Sequence, residues 1–315
     1  MKNITTNWID DYFNSHEVHK HAFKSVVYQV QSEVQKIIIV DTYNYGRCLI
    51  LDNEFQSAEM DEFIYHEALV HPSFILHPGA ENILILGGGE GATLREVLRY
   101  KMVKKAVMVD IDKEMIACAK RFLPSFHAGA FDDGRVELVI EDGRKYMEKV
   151  HDRFDVVVID VNGPLERGSS YLLFTMEFYQ IIAEKLRTNG ILVVQSGAAS
   201  ISENEMFTSV CNTLGKVFSS VFPYVTYVPS YALPWGFSLA THNPSNLDIS
   251  SDEIDARIHS RINGELRFYD SITHHAMFNL PKYLRTDIQK QRRIIKDKDP
   301  LTKHYSGIPT ESTNQ

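Results

Sequence analysis

A chain of 315 residues, 44% hydrophobic and 23% charged, has the material for one large domain or for one domain with a smaller companion. Its formal net charge of −8 disfavours nucleic acid and anionic membrane as partners and favours cationic ligands. No apolar run is long enough for a membrane span, and the first residues lack an apolar signal core. Cys48, Cys118 and Cys211 are far apart among apolar neighbours, so they read as reduced structural thiols of a cytoplasmic protein, with no support for a metal site.

Residues 1–79 read as an antiparallel β-hairpin layer followed by a helix. Val26–Gln31 alternates, 36–40 and 47–51 are apolar runs, and Tyr43-Asn44-Tyr45-Gly46 and Asp52-Asn53 supply turns between them. Met60 to His71 carries helical periodicity, which Pro72 is expected to end; Pro78-Gly79 marks the junction between domains. Within this stretch, Gln56 to Glu67 gathers Tyr65, His66 and several acids. Taken alone, it reads as an ordinary amphipathic helix.

From residue 80 the rhythm becomes strand, helix, strand. Apolar runs at 83–86, 106–109, 136–140, 154–159 and 191–194 alternate with helical segments, the signature of a parallel sheet buried on both faces. Runs at 225–228 and 237–240 predict an antiparallel hairpin on its edge, and helical segments fill 250–292. Residues 293–315 are expected to form a flexible tail.

The first of these strands feeds Gly87-Gly88-Gly89-Glu90-Gly91-Ala92, a G-x-G-x-x-A turn opening a helix. Gly87 permits the tight turn, Gly89 lets backbone approach a ligand, and Ala92 lets the helix pack closely. In a dinucleotide site this loop must receive a pyrophosphate, which the carboxylate of Glu90 would repel. It suits a cofactor carrying an ammonium or a sulfonium. The plainer alternative is a carboxylate that merely favours a helix N-terminus.

Ligands of such sheets bind beyond the carboxyl ends of the strands. Glu90, Asp110, Asp142 (in Glu141-Asp142-Gly143) and Asp160 follow four consecutive strands, and Gln195 follows the fifth. Asp110 has the spacing of a ribose-binding acid, Asp142 can accept from an adenine amino group, and Asp160 sits where a reacting group belongs. One strand-end acid is commonplace. Four converging acids repel one another and shift each other's pKa values unless a cation is present.

With these motifs in order, residues 26–285 resemble the polyamine aminopropyltransferases, the spermidine and thermospermine synthases. The resemblance rests on Gly46–Asp52 with Gln56, on Asp61–Glu67 with His71-Pro72, on the glycine loop, and on Asp110-Ile111-Asp112 and Glu141-Asp142-Gly143. Val225–Tyr231, Trp235-Gly236 and Asn263–Leu266 resemble the thermospermine branch, while His274–Pro281 is similar to the spermidine synthase C-terminal motif.

The resemblance implies a Rossmann-like, class I methyltransferase-type α/β fold with a small N-terminal antiparallel β domain, assembled as a homodimer or homotetramer. Its implied cofactor is decarboxylated S-adenosylmethionine, held by Gln35, Gln56, His66, Gly87, Gly89, Glu90, Asp110, Asp142 and Gly143. Tyr65, Asp160, Gln195 and Tyr231 are then expected around a polyamine acceptor, with Asp160 and Tyr65 catalytic. The reaction moves the aminopropyl group to an amine of the spermidine or putrescine class and releases methylthioadenosine. Glu90 would pair with the aminopropyl ammonium and repel the carboxylate of ordinary S-adenosylmethionine.

One position departs from the family. Its loop usually reads Asp-x-x-Asp-Pro, whereas here it is Asp160-Val161-Asn162-Gly163-Pro164. A lost charge-assisted hydrogen bond costs about 1.5–3 kcal/mol, so Gly163 implies a different acceptor, compensation by Asn162 or Glu166, or weak activity. The alternative readings are an S-adenosylmethionine-dependent N-methyltransferase on the same fold and a non-catalytic polyamine-binding protein.

Overall fold

The computed structural model describes residues 7–14, 16–163, 170–243 and 249–302. Five strands form an antiparallel sheet in chain order: β1 (Asn7–Asn14), β2 (Glu17–Gln31), β3 (Lys36–Thr42), β4 (Arg47–Leu51) and β5 (Glu54–Ala58). The hairpin layer is as expected, but β1, β5 and the first half of β2 escape the sequence reading. Polar and half-exposed side chains break the alternation in all three. Asp52 and Asn53 join β4 to β5 with φ of 50° and 68°, the left-handed pair that a two-residue hairpin turn needs.

Helix α1 (Glu62–Leu76) passes straight through Pro72, where the sequence predicts its end. Proline has no N–H for the carbonyl four residues back, which is Ala68. The buried Tyr224 hydroxyl donates to that carbonyl at 3.0 Å and satisfies it. α1 also sits differently from expectation. It packs on the second sheet and its first helix, so by packing it belongs to the larger unit and not to residues 1–79.

That second sheet contains β6 (Asn82–Gly87), β7 (Lys105–Asp110), β8 (Val136–Ile140), β9 (Phe154–Asp160), β10 (Leu186–Ala198), β11 (Ser220–Val228) and β12 (Leu233–Thr241), in the order β11-β12-β10-β9-β6-β7-β8. The five strands from β8 to β10 are parallel. The β11–β12 hairpin closes one edge antiparallel, as predicted. Helices α2 (Ala92–Leu98), α3 (Lys113–Phe122), α4 (Pro124–His127), α5 (Gly143–Lys149), α6 (Met176–Lys185) and α7 (Glu205–Leu214) connect the strands, and α8 (Ser251–Arg261), α9 (Ser271–Phe278) and α10 (Lys282–Lys290) follow. This is the predicted α/β class: a Rossmann-like, mostly parallel sheet behind a small antiparallel one. No helix among the described residues is long and apolar enough to cross a membrane.

The period of two along each strand divides the core. Ile83 and Ile85 face one side with Val156, Val158 and Val193, whereas Leu84 and Leu86 face the other with Val157, Ile159 and Val194. The first side is continuous with Ile37, Ile39, Leu49 and Ile50 of the small sheet, so both sheets share one apolar core.

Residues 293–302 correct another expectation. Ile295 and Leu301 are buried on the second side of the large sheet, and Arg144 holds Asp297 through two bonds of 2.8 and 2.6 Å. Apolar side chains at these two positions anchor a segment whose charged neighbours read as solvated. Residues 303–315 of the expected tail lie outside the described residues.

Candidate active site

Chain order reverses between β6 and β9, and the cavity opens there. Its volume is about 230 Å³. Gly87 pairs with Asp160 across the two strands, and the Gly88 N–H donates to the Asp160 carbonyl at 2.8 Å. A Cβ on Gly87, whose φ is +84°, would collide with that carbonyl. A Cβ on Gly89 would stand 2.8 Å from a carboxylate oxygen of Asp110. The glycines therefore let two strand-end acids approach the loop.

Asp160 is held from two sides. Tyr65 of α1 donates to Oδ1 at 2.8 Å and Thr93 of α2 to Oδ2 at 2.5 Å. Burial, and then the charge of Asp160, push the Tyr65 hydroxyl well above its ordinary pKa, so it stays a donor. Thr93 is absent from the sequence reading; its position in the first turn of a loop-to-helix junction is the only available signal.

Glu90 is buried, and its Oε1 lies 2.8 Å from Nε2 of His66. On the far side of the ring, Nδ1 lies 2.9 Å from Oε2 of Glu62 and 2.7 Å from the Glu62 carbonyl. Burial alone would lower the imidazole pKa. The hydrogen bonds and charges of Glu62 and Glu90 outweigh it and push it up to about 10, so His66 is an imidazolium. The Glu90 carboxyl is itself raised, by burial first and then by Asp160 and Glu62, against the pull of His66. The pairing of Glu90 with His66 is not legible in the sequence.

At the end of β7, burial, with the charges of Asp112 and Asp160, raises Asp110 to about 6, although it accepts the Asp112 N–H at 2.8 Å. Gln35 and Gly143 line the same cavity. Gln35 donates to Asp112 at 3.0 Å, which ties the small sheet to this end of the site. Asp142 is the chain neighbour of Gly143 and is not itself among the cavity-lining residues. Its Oδ1 accepts the Arg144 and Lys145 N–H groups and caps α5, the ordinary role of an acid before a helix.

The opposite end is aromatic. Tyr231, in the turn Pro229–Tyr231, stands edge-on to Tyr65 with ring centroids 6.1 Å apart and to Trp235 at 4.9 Å. Its hydroxyl donates to the Gln56 carbonyl, while Asp61 accepts the Ser230 N–H at 2.6 Å. These two bonds fix the turn to β5 and to the start of α1. Gln195 lines the cavity, but its amide is engaged with backbone, donating to Val161 at 2.6 Å and accepting from Gly197 at 3.1 Å. That makes it a brace for the loop after β9. Gly163 also lines the cavity, and a Cβ there would meet none of the described residues within 4 Å. Asn162 lies beside it and donates to Gln35 at 3.4 Å; Glu166 lies outside the described residues.

The structure thus brings together Tyr65, His66, Gln35, Gln56, Gly87, Gly89, Glu90, Asp110, Gly143, Asp160, Gln195 and Tyr231. It adds Thr93, Glu62, Asp112 and Trp235. The carboxylates of Glu90, Asp110 and Asp160 and the rings of Tyr65, Tyr231 and Trp235 around one cleft suit a ligand pair with positive charge at several points.

Comparisons with known proteins agree with this geometry. The spermine/spermidine synthase domain matches residues 62–250, and the spermidine synthase tetramerisation domain matches residues 7–59. The chain is 41% identical to the polyamine aminopropyltransferase of Sulfolobus acidocaldarius over 294 residues, covering 93% of this chain and 97% of that one. It is 42% identical to that of Sulfurisphaera tokodaii, covering 94% and 97%. The spermidine synthase of Thermotoga maritima superposes with a TM-score of 0.83 at 30% identity, covering 91% and 96% of the two chains. A spermidine synthase in complex with the transition-state analogue AdoDATO gives 0.84 at 30% identity, covering 92% and 99%.

Proposed function

The chain belongs to the spermine/spermidine synthase family and is a polyamine aminopropyltransferase, and from that premise we propose how its cavity divides between two substrates. The donor is decarboxylated S-adenosylmethionine. Its adenosine lies toward Asp110, Gln35 and Gly143, and its aminopropyl ammonium toward the Glu90–His66 pair. The acceptor is an amine of the spermidine or putrescine class lying along Tyr65, Tyr231 and Trp235. The observation that carries this reading is Asp160, a carboxylate at the switch point, held by Tyr65 and Thr93 between the Glu90 and aromatic ends.

A protonated amine cannot attack. Asp160 orients the acceptor nitrogen and takes its proton, which frees the lone pair. The nitrogen displaces the thioether in line from the aminopropyl carbon; a C–N bond forms, the C–S bond breaks, and the sulfonium leaves as neutral methylthioadenosine. Fixing both partners in one cleft supplies much of the acceleration. The aromatic faces hold the alkyl-ammonium chain. The chain works as an oligomer, for which the match to a tetramerisation domain is the support, and we place it in the cytoplasm, in line with its three buried, unpaired cysteines.

Incubation with decarboxylated S-adenosylmethionine and a panel of putrescine, cadaverine, spermidine and spermine, read by mass spectrometry, tests the division. Gain of one aminopropyl unit supports it, and the preferred amine identifies the acceptor. A methyl gain from ordinary S-adenosylmethionine, with nothing from the decarboxylated donor, overturns it.

A further inference from the structure

Behind Glu90 runs a buried chain of charged groups that none of the chemistry above uses. His66 Nδ1 meets Glu62, whose two carboxylate oxygens take both terminal nitrogens of Arg95 at 3.0 and 2.8 Å. Arg95 Nε then donates to Glu96 at 2.8 Å, and Glu96 Oε2 lies 3.1 Å from His71 and 3.2 Å from Arg99. Glu62, His66, Glu90 and Glu96 are each less than a tenth exposed. Taking so many charges out of water is costly, and breaking one member strands its partners, so a closed chain holds each group in one position.

We propose that Glu62 is a positioning residue for the donor site: by accepting from Nδ1 it keeps His66 a double hydrogen-bond donor, and His66 in turn fixes which way the Glu90 carboxylate faces. Both ring nitrogens of His66 are occupied by carboxylates, so His66 is not the proton acceptor of the reaction. Glu90 spends Oε1 on His66, which leaves its other oxygen for a cation in the cavity. The groups facing His66 are Glu62 on its own helix, Glu90 on the glycine loop and the Tyr65 ring, with Asp160 and Arg95 behind them. Of these, only Glu62 faces Nδ1, through its carboxylate at 2.9 Å and its main-chain carbonyl at 2.7 Å.

This inference rests on the donor-site reading above, but its primary test does not need turnover. Histidine-labelled protein is titrated by NMR, with His66 assigned by its loss in His66→Gln. In the unsubstituted protein His66 should stay doubly protonated through pH 8, with a midpoint about 10; a midpoint near the ordinary 6.5 overturns the proposal whether or not Glu62→Gln folds. In Glu62→Gln the midpoint should move back toward 6.5, and Glu62→Asp should restore part of the shift. The KM for decarboxylated S-adenosylmethionine should rise about tenfold or more in Glu62→Gln, with the acceptor KM changed by less than about twofold. A rise shared equally by both substrates, or an unmoved His66 midpoint in a folded Glu62→Gln, overturns it. Absence of any turnover in the unsubstituted enzyme would sink the donor assignment and leave the titration result standing.

Discussion

The Tyr65 hydroxyl donates to Asp160 at 2.8 Å, although the two residues come from different elements 95 positions apart. Helix α1 crosses the mouth of the β6–β9 switch point and carries its tyrosine onto the strand-end acid. The Asp160 carboxylate, the base of the proposed reaction, is thereby held in one rotamer before substrate arrives.

Asp160→Asn should therefore lower kcat about 10²–10⁴-fold while methylthioadenosine binding stays within about twofold. Tyr65→Phe leaves the carboxylate but loses one donor, and should cost kcat about tenfold. Steady-state rates with calorimetric methylthioadenosine affinities check both. An Asp160→Asn enzyme of near-normal kcat would remove Asp160 from the chemistry.

Gly163 opens onto the cavity, and none of the described residues lies within 4 Å of where a Cβ would stand, so they leave room for a side chain there. Gly163→Asp should lower the KM for putrescine or spermidine about tenfold, the effect of one added charge-assisted contact. The melting temperature should stay within about 2 °C. Unchanged acceptor kinetics would mean that another group already holds that nitrogen.

His66 is raised to about 10 in the fold against 6.5 unfolded, so its contribution to stability is complete below pH 6.5 and is lost as pH rises through 10. The melting temperature of the unliganded protein should fall by roughly 5 °C or more across that window. His66→Gln should flatten this part of the profile. An equally steep fall in the variant would place the linkage elsewhere.

Asp110 is also raised, to about 6 from 3.8, so its favourable contribution is present below pH 3.8 and gone above 6. At pH 8 its buried charge burdens the empty site. Asp110→Asn should raise the unliganded stability there by up to ~3 kcal/mol and weaken adenosine-donor binding. Denaturant melts at pH 5 and pH 8 separate this from a general packing gain, which would appear at both.

Tyr224→Phe should cost about 1–3 kcal/mol in urea unfolding, because the Ala68 carbonyl opposite Pro72 loses its substitute partner in a dry core. A neutral result would show that water reaches that carbonyl.

The large sheet is legible because Val, Ile and Leu run continuously through β6, β7 and β9, and its site is legible because acids follow those strands. What escapes depends on distant partners. Nothing near Pro72 announces Tyr224, which lies 156 positions beyond Ala68, and a helix that stops at proline is the better local reading. At Asp142 the sequence shows an acid after a strand but not the cap that its Oδ1 makes on α5. Glu90 reads by its charge alone, without His66, because the two meet only when α1 folds over the glycine loop. β1, with Asp10 and Asp11 in the middle of its run, carries too little alternation to be seen as a strand at all.

The small sheet and one face of the large sheet share a single core, and Gln35, Leu49, Leu51 and Gln56 wall one side of the cleft. The chain therefore has no minimal catalytic fragment. A truncated chain beginning at α1 would keep the glycine loop, Tyr65 and Asp160, yet it would lose Gln35, Leu49, Leu51 and Gln56 from the wall of its cleft. Swapping N-terminal sheets between relatives is likewise not an exchange of inert handles, because each graft brings part of the cavity wall with it. For a designer of chimaeras, the natural cut lies outside both sheets and not between them.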